Sequence, residues 1–148
     1  MMRLQTIALL LTALSFPGCN VDNEHTPVDH KDDSADYRTQ VWDAVQQRVG
    51  SALTPVASDA NFAGVWDVYF DMFGNRQPMF RYDFKSAATV EIVSLQGNDQ
   101  TPQPDQYVVK REGQLSICGE SYHAATTENG ELVLFNGDSS LVLIAIKR

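Results

Sequence analysis

The chain has 148 residues, a hydrophobic fraction of 43%, a charged fraction of 20% and a formal net charge of −8. That length suits one domain and is short for two. The acidic balance argues against a nucleic-acid partner, which needs clustered Lys and Arg, and against a face pressed onto anionic headgroups.

Residues 1–18 read MMRLQTIALLLTALSFPG: a short start with Arg3, an apolar stretch from Ile7 to Phe16, then small residues before Cys19. This is the order of a secretory signal. The apolar stretch is about half of the roughly 20 residues that span a bilayer as a helix, so a permanent transmembrane anchor is not expected. Arg3 is the only charged residue here, and removing the segment takes the net charge from −8 to −9. Phe16-Pro17-Gly18-Cys19 resembles the bacterial lipoprotein signal, whose usual pattern is a Leu three places before the cysteine followed by small residues. Gly18 and Cys19 fit that pattern; Phe16 and Pro17 depart from it. The resemblance implies lipidation of Cys19 with several acyl chains such as palmitate. Several chains, each contributing about 0.8 kcal/mol per buried CH₂, hold a protein firmly. By the sorting rule of enteric bacteria, Asn20 rather than Asp implies the outer membrane, with the domain facing the periplasm. The alternative is an ordinary signal peptide cut nearby, leaving a thiol at Cys19. The only other cysteine is Cys118. With Cys19 lipidated it has no partner and is expected to be a small buried hydrophobe rather than a reactive thiol.

Residues 19–36 comprise the lipidated cysteine and a tether. From Asn20 to Asp36 there are six acids against one base, Lys31, and only Val21, Pro27, Val28 and Ala35 are apolar. Such a segment cannot bury enough surface to fold, and about 17 residues of flexible coil reach roughly 20–25 Å. His25, Asp29, His30, Asp32 and Asp33 have metal-binding chemistry, but a flexible acidic stretch holds no fixed coordination geometry. No metal and no cofactor are expected.

Residues 37–148 form the folded domain. Tyr37, Val41, Val45 and Val49 recur every four residues, with Trp42 beside them, which predicts an amphipathic helix from 37 to 49 with Asp36 as N-cap and Gly50 as stop. From Phe62 onward the pattern changes to period two with frequent turn signals. Strands are expected at 64–71, 77–84, 88–96, 106–111, 114–118, 120–126, 131–136 and 140–147. GNDQTPQPD (97–105) is the longest loop, and Asn129-Gly130 and Asn136-Gly137 carry the strongest hairpin signal. About eight short strands joined mostly by tight turns predict a mostly β fold: a small antiparallel up-and-down β-barrel with one N-terminal amphipathic helix. Leu141–Ile146 is apolar on both faces, so it should be a central strand or one covered by the helix.

Gly64-Val65-Trp66, opening the first strand after a short helix, resembles the Gly-x-Trp start of the lipocalin and calycin barrels. The resemblance implies that Trp66 closes one end of the barrel against a basic residue from a late strand, here Lys147 or Arg148. It also implies a carrier of a small apolar ligand, with a cavity lined by Trp66, Phe80, Phe84 and Ile92. With strands this short, a filled interior is expected over a hollow one.

No catalytic constellation emerges. Gly119-Glu120-Ser121-Tyr122-His123 lacks the second glycine of a nucleophile elbow, and Ser121 and His123 lie two places apart on one strand. Cys118 and His123, five positions apart, point to opposite faces of a regular strand. Asp67 and Asp71 lie about 13–14 Å apart along one face, too wide for paired carboxylate chemistry. No enzyme activity is therefore expected. The leading expectation is an inhibitor or immunity-type binding module that grips another envelope or secreted protein, one that is basic. Its contacts would be Asp67, Tyr69, Asp71, Phe73, Arg76, Tyr107 and Tyr122, since exposed aromatics and Arg anchor interfaces. The alternatives are the small-ligand carrier and an accessory assembly subunit of an envelope complex.

Overall fold

The computed structural model describes residues 35–86 and 88–148. The signal segment, Cys19 and most of the tether, including the His25–Asp33 cluster, lie outside the described residues. Helix α1 (Ala35–Val49) is followed by nine strands: β1 (Leu53–Pro55), β2 (Gly64–Met72), β3 (Asn75–Phe84), β4 (Thr89–Ser94), β5 (Gln103–Arg111), β6 (Gln114–Ile117), β7 (Glu120–Thr127), β8 (Leu132–Phe135) and β9 (Val142–Lys147). No helix among the described residues is long and apolar enough to cross a membrane.

Strands β2 to β9 pair in sequence order, each antiparallel to the next, and β9 returns to β2 with Trp66 opposite Lys147 and Phe70 opposite Leu143. The result is the expected closed eight-stranded up-and-down barrel with one helix. Strand β1 is an addition the sequence does not announce. It pairs with β7 through Leu53–Thr127 and Pro55–Ala125, and Val56 then exchanges backbone bonds with Gly113 and Ala124. Gly113 sits in this junction with φ +70°, where a Cβ would lie 3.3 Å from Pro55 Cβ. A side chain there would be both strained and crowded.

Period two decides the inside. Trp66 and Val68, Tyr82 and Phe84, Leu115 and Ile117, Leu132 and Leu134, and Leu143 and Ala145 point inward into one cluster with Val56, Phe62, Val90 and Tyr107. Phe84 lies 4.7 Å from Tyr107 and 5.6 Å from Phe62, ring centre to ring centre, so aromatic rings fill that part of the barrel. Trp66 and Phe84, expected to line a carrier's cavity, are part of this filling. The interior is filled rather than hollow there.

A second cluster lies outside. Val41 and Val45 of α1 pack on Ala125, Val133, Phe135 and Val142, with Trp42 edge-on to Phe135 at 5.1 Å. This explains the doubly apolar Leu141–Ile146 run: its inward face meets the barrel core and its outward face meets the helix. The helix begins at Ala35, so Asp36 lies within its first turn instead of capping it.

Candidate functional site

The β2–β3 hairpin ends in a two-residue loop, Phe73-Gly74, closed by the Met72–Asn75 pair. Both loop residues have positive φ, 54° for Phe73 and 91° for Gly74, the type I′ geometry that matches strand twist. Glycine adopts it freely; a bulky residue at the first position costs about 1–2 kcal/mol. Phe73 is nonetheless 88% exposed and its neighbour Met72 50% exposed. A strained, projecting aromatic is not explained by packing, and strain of this kind concentrates at functional positions.

The tip is held from behind by Arg48, in the last turn of α1. Its Nε donates to Asp71 Oδ2 at 2.9 Å, its Nη1 to the Ser139 carbonyl at 3.1 Å, and its Nη2 to the Asp71 carbonyl. Its guanidinium carbon also lies 4.6 Å from the centre of the Phe73 ring. Asp71 in turn accepts the Gly74 N–H at 3.3 Å. One side chain thus ties the helix end, the β2–β3 hairpin and the β8–β9 loop together. Arg76, beside the tip, pairs with Glu131 at 2.9 Å.

Of the expected contact residues, Phe73 and Arg76 are exposed at the tip. Asp71 is not available: it is 2% exposed and committed to Arg48. The reason is that Arg48, at the end of α1, reaches across to Asp71, which the strand alternation alone does not show. Tyr107 is also corrected, since it faces into the barrel at 4% exposure and donates its hydroxyl to Ser86 O at 2.6 Å. Tyr122 is half-buried and packs against the barrel core; burial, and secondarily Glu120, push its phenol pKa up. Asp67 is half-buried, bonded to Arg81 at 2.7 Å and paired with Arg148 at 3.4 Å. Tyr69 is half-buried on the outer face of β2.

At the barrel end marked by Trp66, the indole N–H donates to Phe62 O at 2.8 Å and Lys147 Nζ stands 5.6 Å from the ring centre. Arg148 turns outward to Asp67 instead. Ser121 and His123 do not meet. The Ser121 hydroxyl accepts from Lys110 Nζ at 2.9 Å, while the His123 ring lies against Phe135 and Trp42 under the helix. Among the described residues, no group of three His, Cys, Asp or Glu side chains could hold a metal ion. Cys118 occupies the β6–β7 turn with φ 54° and is disulfide-bonded, which corrects the expectation of a partnerless buried thiol. The only other cysteine in the sequence, Cys19, lies outside the described residues.

Arg48 is the residue that sequence reading missed. Its only signal is a base in a helix's last turn, which the helix dipole already accounts for. The chain matches no protein-family model, no curated protein and no solved structure.

Proposed function

We propose that this is an exported envelope protein whose barrel grips another protein, as inhibitors and immunity proteins do, through the β2–β3 hairpin tip. The observation that carries the reading is Phe73: a large aromatic held exposed in a strained turn by an Arg48–Asp71 clamp. A rigid, pre-positioned aromatic loses little entropy on docking and is the kind of anchor that dominates interface energies. The acidic balance of the chain suits a basic partner, since opposite charge speeds encounter.

The test is affinity capture from native membranes in mild detergent with wild type and Phe73→Asn. Asparagine tolerates the left-handed turn, so the variant keeps the fold while deleting the anchor. The expected result is a stoichiometric protein partner captured by wild type and lost with Phe73→Asn. A partner held equally by both forms overturns the tip as the contact.

Lipidation of Cys19 competes with the Cys118 disulfide, and the mass of the mature protein decides between them. A thioether lipid on Cys19 and a disulfide between Cys19 and Cys118 exclude each other in one chain. A lipid adduct with a free Cys118 thiol after denaturation supports the lipoprotein reading. An unlipidated Cys19–Cys118 disulfide replaces it with an ordinary secreted protein.

A further inference from the structure

Arg48 holds two loops side by side. Its guanidinium carbon lies 4.6 Å from the Phe73 ring centre, while its Nη1 donates to the Ser139 carbonyl at 3.1 Å. The β2–β3 tip and the β8–β9 loop are therefore both within reach of one planar group. In the β8–β9 loop Gly137 and Asp138 are exposed. The loop is also fixed from within. Asn136 donates its side-chain amide to Ser140 Oγ at 2.7 Å and accepts the Leu141 N–H at 3.0 Å, and Asp138 Oδ1 accepts the Ser140 N–H at 2.9 Å. The Ser140 hydroxyl first, and its N–H second, hold the Asp138 carboxyl below its ordinary range, so it stays ionised.

Charge is left over at this surface. Asp71 is paired with Arg48, and Glu131 with Arg76. Among the described residues no Lys or Arg pairs with Asp138. The face thus offers two exposed apolar side chains, Met72 and Phe73, and beside them one carboxylate that the barrel does not neutralise. Arg48 already covers one face of the Phe73 ring, so a second cation gains little from that ring. A positive group arriving here is directed to Asp138 instead.

We propose that the β2–β3 tip and the β8–β9 loop form one interface for a protein that offers an apolar recess to Met72 and Phe73 and, at the rim of that recess, a lysine or arginine to Asp138. This deepens the reading of the tip as a protein contact and rests on it. The two contacts act on different steps. A buried apolar anchor sets how long a complex lasts, whereas a rim charge speeds encounter and makes it salt-dependent. Because Arg48 fixes both loops, the spacing between anchor and carboxylate is set before the partner arrives, so less freedom is lost on docking. An anionic lipid surface fits less well, since it would meet Asp138 with like charge.

The test places a photo-crosslinking residue, p-benzoylphenylalanine, at Gly137 of the full chain in its own cells. Gly137 has no left-handed φ and has open space where a Cβ would stand, so the loop accepts a side chain there. Light should join it to one protein, and adding Phe73→Asn or Asp138→Lys should each remove most of that adduct. With the joined protein purified, Asp138→Asn should weaken binding about two- to fivefold, through slower association and a flatter salt dependence. Phe73→Asn should weaken it about thirtyfold or more, through faster dissociation. Glu112→Lys, at the exposed β5–β6 turn, changes the net charge as much as Asp138→Lys and should cost less than about twofold.

An adduct lost with Phe73→Asn but indifferent to Asp138→Lys overturns the two-part interface and leaves the tip as the contact. So does a partner captured through Phe73 when Gly137 gives no adduct. An adduct indifferent to Phe73→Asn overturns the tip reading as well. Phe73-dependent binding to phosphatidylglycerol vesicles, in place of any protein adduct, makes a membrane the occupant and overturns both.

Discussion

The wall formed by β8 and β9 and the hairpin formed by β2 and β3 are neighbours built on opposite terms. In β8 all four residues, Leu132 to Phe135, are 0% exposed, because the barrel core takes one face and α1 the other. In the hairpin, beyond the bulge between Val68 and Tyr69, residues 72–78 are all exposed, and what reaches the tip from the helix is Arg48. Two apolar layers make the wall; one charged clamp makes the hairpin. The wall resists change because it is packed, whereas the hairpin projects a group that packing alone would not tolerate.

The sharpest way to break this contrast is to empty the wall. Phe135→Ala removes a fully buried ring that touches both Trp42 and His123, and should cost about 3–5 kcal/mol in urea unfolding. A cost below about 1 kcal/mol would mean that α1 does not seal the wall.

Next is the clamp. Arg48→Gln strands the Asp71 carboxylate at 2% exposure and should cost about 3 kcal/mol, the lower end for breaking a buried pair, since Arg48 itself is 10% exposed. Adding Asp71→Asn should recover part of the loss, because it removes the stranded charge. Equal stability of the single and double variants would show that the charge was not what held the hairpin.

A third test uses pH. Burial first, and the neighbouring Tyr122 second, hold the Tyr82 phenol well above its ordinary value. Burial raises Tyr107 as well. The folded state therefore keeps these protons after the unfolded chain has begun to release its own near pH 10. The unfolded chain then binds fewer protons, so stability is full below about pH 10 and falls as pH rises above it, by at most about 1.4 kcal/mol per pH unit per group. Unfolding midpoints from pH 8 to 11.5 should show that decline, and Tyr82→Phe should make it shallower.

The smallest effect has the opposite sign. Phe73→Asn should raise stability by up to about 1 kcal/mol, since it relieves the left-handed strain and loses almost no burial. A loss of stability would recast Phe73 as a structural part of the clamp.

Much of the barrel was legible because its strands announce themselves. Phe80-Arg81-Tyr82-Asp83-Phe84 alternates cleanly, and the Phe73-Gly74, Glu112-Gly113 and Asn129-Gly130 pairs mark turns. Strand β1 was not legible, because Leu53-Thr54-Pro55 is three residues long and ends in a proline that cannot donate to a ladder. Alternation says which residues share a face, not which face meets the core. Val65 and Trp66 are both apolar, and only the ring closure with β9 turns Trp66 inward. Asp71 was placed on the surface because the base that buries it lies 23 residues earlier, on a helix whose angle against the barrel no local pattern encodes. Phe73 was legible as an exposed aromatic, but its strain and its clamp were not.

The pairing of β2 with β9 also governs when this domain can fold. Trp66 finds Lys147, and Phe70 finds Leu143, across six intervening strands' worth of chain. Contacts so remote in sequence are slow to form, because loop closure must precede any reward. A nascent chain therefore cannot close the ring until β9 has been made, and until then β2 shows an unpaired edge. On the export reading proposed above, this delay is useful: the most non-local pairing of the barrel keeps the chain open until the segment that completes it has arrived.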